Sequence, residues 1–142
     1  MANETDRSPV LVIPCSGIGK VHGLLSREAT YLATDELAPE ETDTLCLALL
    51  VKGDADAVAK VRTHKCITID GCGKACAEKN VEMAGGHVSE AVQVAAVLKE
   101  YRGTQPGTGA ILTIEGWPVA RDIAERVAEC AARLHAGEEV AP

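Results

Sequence analysis

Aromatic side chains are nearly missing from this 142-residue chain, which has two tyrosines (Tyr31 and Tyr101), one tryptophan (Trp117) and no phenylalanine. A platform that stacks single-stranded bases needs several exposed rings, so that mode of binding is excluded. Basic residues are also scarce, 14 against 21 acidic ones, for a formal net charge of −7. Such a chain supplies no cationic stripe for a phosphate backbone, which argues against a nucleic-acid partner. No run of about 18 apolar residues occurs, so no membrane-spanning helix is expected. The first residues, Met1-Ala2-Asn3-Glu4-Thr5-Asp6, lack the basic start of a secretion signal. The expected protein is soluble and cytoplasmic, with no membrane and no nucleic acid as partner. A protein or small-molecule partner is left open.

The length implies a single domain, residues 1–142, large enough to bury a core without disulfides. Residues 1–8 and 136–142 read as polar tails. With so few rings, the core must be built from valine, leucine, isoleucine and alanine. Six cysteines could form three disulfides. The composition, however, is that of an ordinary α/β domain without a secretion signal, so reduced cysteines are expected, some of them bound to metal.

Continuous apolar runs mark strands buried on both faces of a parallel sheet. Val10-Leu11-Val12-Ile13 is the first, followed by the turn Pro14-Cys15-Ser16-Gly17-Ile18-Gly19 and a helix over residues 20–34. The run Thr44-Leu45-Cys46-Leu47-Ala48-Leu49-Leu50 reads as a second strand. Asp54 caps a short helix that continues through Arg62. Cys66-Ile67-Thr68-Ile69 is the third strand, and the helix after it runs to about Ala84, where Gly85-Gly86 stops it. Residues 90–95 alternate like a strand, yet Ala91, Val94, Ala95, Leu98 and Tyr101 also share a helical face. Residues 103–109 form a loop, and residues 111–114 read as a short strand. Pro118 opens a final amphipathic helix that buries Ile123, Val127, Cys130, Ala131 and Leu134.

This alternation defines an α/β class: a three-layer, mainly parallel sheet of four or five strands flanked by helices, Rossmann-like or flavodoxin-like. Ligands in such folds collect at the carboxyl ends of the strands. Cys15 follows the first strand, and Cys72 follows the third in Ile69-Asp70-Gly71-Cys72-Gly73-Lys74-Ala75-Cys76. A helix beginning at Cys72 would place Cys76 one turn further along the same face, with both sulfurs aimed at one ion or substrate. Its N-terminus would favour thiolate over thiol.

Pro14-Cys15-Ser16-Gly17, Leu45-Cys46-Leu47-Ala48 and Asp70-Gly71-Cys72 with Ala75-Cys76 together resemble the DGC-domain family of zinc-binding proteins, named for its Asp-Gly-Cys motif. The resemblance covers roughly residues 10–95. It implies four zinc-chelating cysteines, which match Cys15, Cys46, Cys72 and Cys76 here, and it implies no particular reaction. Four thiolates around Zn²⁺ form a closed site of net charge −2, which Lys20, Lys74 and backbone N–H groups of the two glycine turns could soften. Cys46 joins only if its strand ends by about Leu47; three cysteines and water would leave an open position. Four thiolates suit iron as well as zinc.

On chemistry, the remaining candidates divide into packing and support. Cys66 and Cys130 read as core thiols, with His64 beside Cys66. His22 stands near the Cys15 turn, whereas His87 and His135 form no ligand spacing. Asp70 is expected to accept N–H bonds from Gly71 and Cys72 and so fix the turn, or to support a ligand. Ser16 could donate to a sulfur or cap the first helix.

A metal-free alternative uses Cys72 and Cys76, with Cys15, as a redox or persulfide-carrying set. A lesser alternative is a cysteine-nucleophile phosphatase or arsenate-reductase arrangement. The arginine such a loop places six residues after the cysteine is replaced by Val21. A phosphate-binding Walker loop is excluded by Pro14 and Val21. The function expected is a zinc-binding or metal-sensing module, and whether it is also an enzyme is left open.

Overall fold

The computed structural model describes residues 8–15, 19–71 and 73–137. The first apolar run forms β1 (Val10–Pro14), and its residues Val10 to Ile13 are almost wholly buried. The chain then passes into α1 (Val21–Tyr31), which continues as a π-helical stretch over Leu32–Leu37. It returns as β2 (Thr42–Thr44), α2 (Leu47–Lys52), α3 (Ala55–Thr63) and β3 (Cys66–Asp70). Beyond these lie α4 (Cys76–Met83), β4 (Val88–Gln93), α5 (Val94–Leu98) and α6 (Gly116–His135).

All strand pairs are parallel, in the order β2-β1-β3-β4. The class expected from the apolar runs is therefore the one formed. The order also matches the start of the flavodoxin-like arrangement, whose ligands sit at the switch point between the first and third strands. Alternation along β1 and β3 divides the core in two. Val10, Val12, Ile67 and Ile69 pack with α1, α5 and α6, while Leu11, Ile13 and Cys66 pack with α2, α3 and α4. The sheet thus lies between two helical layers.

Two local expectations are corrected, and one open reading is resolved. The run over residues 44–50 is not a strand: β2 stops at Thr44, and α2 takes over at Leu47. Leu47 and Leu50, three apart, are buried on the inner face of α2, and Gly53 ends it in the left-handed conformation at φ 80°. Apolar content alone does not separate a strand from a short buried helix. Residues 111–114 also form no strand; they contribute a single bridge, Gly107 to Leu112, while Ile111 and Ile114 face outward. The ambiguous region is both things in turn, strand to Gln93 and helix from Val94.

Elsewhere the capping logic holds. The Asp54 side chain accepts the Ala57 N–H at 3.0 Å and opens α3. Gly85, at φ 90°, ends α4. Along α6, Ile123, Val127, Cys130, Ala131 and Leu134 are buried as expected, joined by Val119, Ala120 and Ala124. No helix among the described residues is long and apolar enough to cross a membrane.

Candidate functional site

The parallel ladder between β1 and β3 continues one step past the strands and then changes partner. The Cys15 N–H donates to the Ile69 carbonyl at 2.9 Å. Regular pairing would next send the Gly71 N–H to the Cys15 carbonyl. It goes instead to the Cys15 sulfur, at 3.3 Å. Cys15 is buried and also lies 3.5 Å from Ser26 Oγ. The Ser26 hydroxyl donates to the Gly23 carbonyl at 2.6 Å, so a protonated Cys15 gives its S–H to Ser26. The Cys15 sulfur is thus held between a backbone N–H and a hydroxyl.

Asp70 ends β3 on the same side of the sheet and is buried. The Gly71 N–H, expected from the sequence to bond this carboxylate, goes to the Cys15 sulfur instead, and Cys72, the other expected donor, lies outside the described residues. The Asp70 carboxylate reaches forward to accept the N–H groups of Ala77 at 2.7 Å and Glu78 at 3.1 Å, the unpaired donors at the start of α4. This contact sets the helix start at Cys76, four residues later than the expected start at Cys72. The picture of two thiols one turn apart on a shared helix is thereby overturned. Cys76 is the first residue of α4 and is exposed; Cys72 and Ser16 lie outside the described residues. Before the helix, Ala75 adopts the left-handed conformation (φ 52°, ψ 49°). A side chain there costs about 1–2 kcal/mol, and strain of this kind gathers at functional sites.

These elements surround a cleft of about 600 Å³ at the carboxyl edge of the sheet, and Cys15, His22, Asp70, Gly71 and Cys76 line it. Leu47 and Ala48 of α2 line it too, directly after Cys46, which is exposed at the N-terminus of α2. Because β2 ends at Thr44, the condition for Cys46 to stand at the carboxyl edge is met. Cys15, Cys46 and Cys76 thus follow β1, β2 and β3 at one end of the sheet.

The remaining cysteines lie elsewhere. Cys66 is fully buried, and burial pushes its thiol up to about 12. Burial, with the Glu90 charge next in size, also raises the Cys130 thiol. Both are packing residues, and neither is suited to ionise.

A zinc ion fits this edge in donor chemistry, since Cys15 carries the N–H support typical of a ligating sulfur. The described donors do not close a site by themselves. Among the described residues, no group of three or more His, Cys, Asp or Glu side chains is gathered closely enough to hold a metal.

Three contributors escaped the sequence reading. Lys52 and Asn80 line the cleft through the folding of α2 and α4. Gly109 packs so closely on the loop after β1 that a Cβ there would lie 2.5 Å from the Gly19 carbonyl carbon. The loop over residues 103–109 thus braces the start of α1, and its glycine-rich spelling was its one sequence signal.

Fold and site together define an α/β domain with a thiol-bearing cleft at its switch point. The chain belongs to the DGC domain family, whose family model matches residues 11–115. The match reaches beyond residue 95 and takes in the bracing loop, but it stops before α6, which supplies much of one core layer. No curated protein and no solved structure matches the chain.

Proposed function

We propose that this protein is a zinc-binding module whose ion is held by thiolates of Cys15, Cys46, Cys72 and Cys76. The observation that carries the reading is the placement of Cys15, Cys46 and Cys76 after three adjacent parallel strands, with Cys15 and Cys76 lining one cleft and Cys46 directly before its lining residues Leu47 and Ala48. Zinc bound by four thiolates supplies a closed structural centre; bound by three, it supplies a Lewis-acidic position for a ligand. Gly71 supports the charge on the Cys15 sulfur through its N–H. Asp70 holds α4 so that Cys76 stands at the edge. A metal or thiol sensor would use these same residues, with occupancy altering the cleft.

The test is metal content per chain, by plasma mass spectrometry, on protein purified without oxygen or chelator. One zinc in the wild type and in Cys130→Ser, with none in Cys15→Ser or Cys72→Ser, supports the reading. Metal-free wild type with all thiols titrating overturns it.

Metal-free thiol chemistry is the second reading, favoured by Cys15 and Cys76 sharing one cleft. It predicts a persulfide or mixed disulfide on Cys15 or Cys76, visible as added mass on the intact chain. The phosphatase reading gains nothing, since no arginine lines the cleft among the described residues.

A further inference from the structure

The mouth of the cleft carries the charge that the rest of the chain is short of. Against a net charge of −7, Lys20 and Lys52 both line the cleft. Both are exposed, and neither takes part in a salt bridge among the described residues. Asp70 is the one carboxylate in the lining among the described residues, and both of its oxygens are engaged by α4. The wall beside the lysines is apolar: Leu47, Ala48 and Val51 from α2, with Ala95 from α5. Val51 is 65% exposed, a branched apolar side chain left facing the opening.

An inorganic anion would use the lysines and leave this wall idle. A nucleotide would want a ring to stack on, and among the described residues no aromatic side chain lines the cleft. An amphipathic anion uses both halves. We propose that the cleft binds a small organic acid, its carboxylate between Lys20 and Lys52 and its apolar body against Leu47, Val51 and Ala95. The volume of about 600 Å³ lies in the range that takes small organic ligands. His22 and Asn80, also in the lining, offer hydrogen bonds to polar substituents. This inference goes beyond the zinc reading and does not depend on it, because the lysines and the α2 wall are not metal ligands.

The probe is octanoate, compared by calorimetry with octanamide, which has the same chain and no charge. Zinc content is measured on the same samples. Wild-type protein is expected to bind octanoate about tenfold or more tightly than octanamide, with the preference shrinking as salt is raised. In the Lys20→Gln/Lys52→Gln double variant, octanoate should fall to the octanamide level, and in Lys52→Gln alone octanoate should weaken at unchanged zinc content. Val51→Asp, at an exposed position that leaves the core intact, should weaken both ligands. Octanoate binding no tighter than octanamide, or a preference unaffected by the lysine substitutions, overturns the proposal. So does a double variant that loses zinc and keeps octanoate, since the lysines would then serve the thiolate cluster. Anion binding by a protein that proves metal-free would refute the zinc reading alone.

Discussion

The Gly71 N–H donates to the Cys15 sulfur across 3.3 Å, at the point where the β1–β3 ladder would otherwise offer it a carbonyl. Two residues 56 apart in sequence are joined by the sheet register, and the sulfur gains a fixed donor in a buried setting. Nearby Ser26 provides the complementary partner for the thiol proton.

This relationship separates structure from ligation. Cys15→Ala leaves the Gly71 N–H without an acceptor, at a cost of about 1–3 kcal/mol. Cys15→Ser restores an acceptor, so urea unfolding should show most of that loss recovered, while zinc content stays low. Equal destabilisation by both variants would remove the N–H···S bond from the account.

Asp70 is predicted to matter for stability before it matters for ligation. Its carboxylate satisfies two α4 donors, and Asp70→Ala should cost about 1–3 kcal/mol in urea unfolding. Asp70→Asn keeps one acceptor oxygen and should cost less. In both variants, amide exchange at Ala77 and Glu78 should rise ahead of exchange in β3.

Gly109→Ala places a methyl group 2.5 Å from the Gly19 carbonyl carbon and 2.8 Å from the Lys20 nitrogen. Backbone on both sides must separate, with a loss of about 1–3 kcal/mol. The displaced segment starts α1 and borders the cleft, so octanoate affinity should fall as well. Gly103→Ala, where a Cβ meets nothing but φ is 85°, should strain its own turn and leave octanoate affinity unchanged.

Thiol reactivity should follow burial. After metal removal, iodoacetamide at pH 8 should label exposed Cys46 and Cys76 in the native protein. Cys66, pushed up to about 12 by burial, and buried Cys130 should react only on unfolding. Peptide mapping by mass spectrometry reads the order, and early labelling of Cys66 would contradict the packing of β3.

One pH effect lies far from the cleft. Arg126 donates to Asp122 at 2.9 Å and to Glu100 at 3.0 Å, and Tyr101 donates to Asp122 at 2.6 Å. The Arg126 bond, chiefly, holds the Asp122 carboxyl below its ordinary 3.8. A carboxyl lowered by folding stabilises the protein above its unfolded value, and the gain fades as acid protonates it. Arg126→Gln should therefore cost about 1 kcal/mol or less at pH 7, the pair being partly exposed. Urea titrations should show the gap to wild type closing as the pH drops below that ordinary value.

The attachment of Cys15 and of the Asp70-Gly71 turn to strand ends was legible in the chain, because a strand buried on both faces writes itself as a continuous apolar run; that of Cys46 was not, since residues 44–50 read as one strand. The start of α4 was not legible. Its signal, Asp70, lies six residues before Cys76, and a side chain that caps across a turn leaves no local pattern. Leu47 and Leu50 were compatible with strand or helix until the face they bury was known.

The sequence by itself determined the α/β class, the parallel sheet, the buried faces of β1, β3 and α6, and the presence of thiols after the strands. These follow from periodicity and composition, which act through near neighbours. Only the tertiary structure decided that Gly71 meets Cys15, that Asp70 holds α4, that Gly109 braces the loop after β1, and that two lysines share the cleft with Cys15 and Cys76. Each of these depends on strand order and register, which bring distant residues together through contacts no local segment encodes.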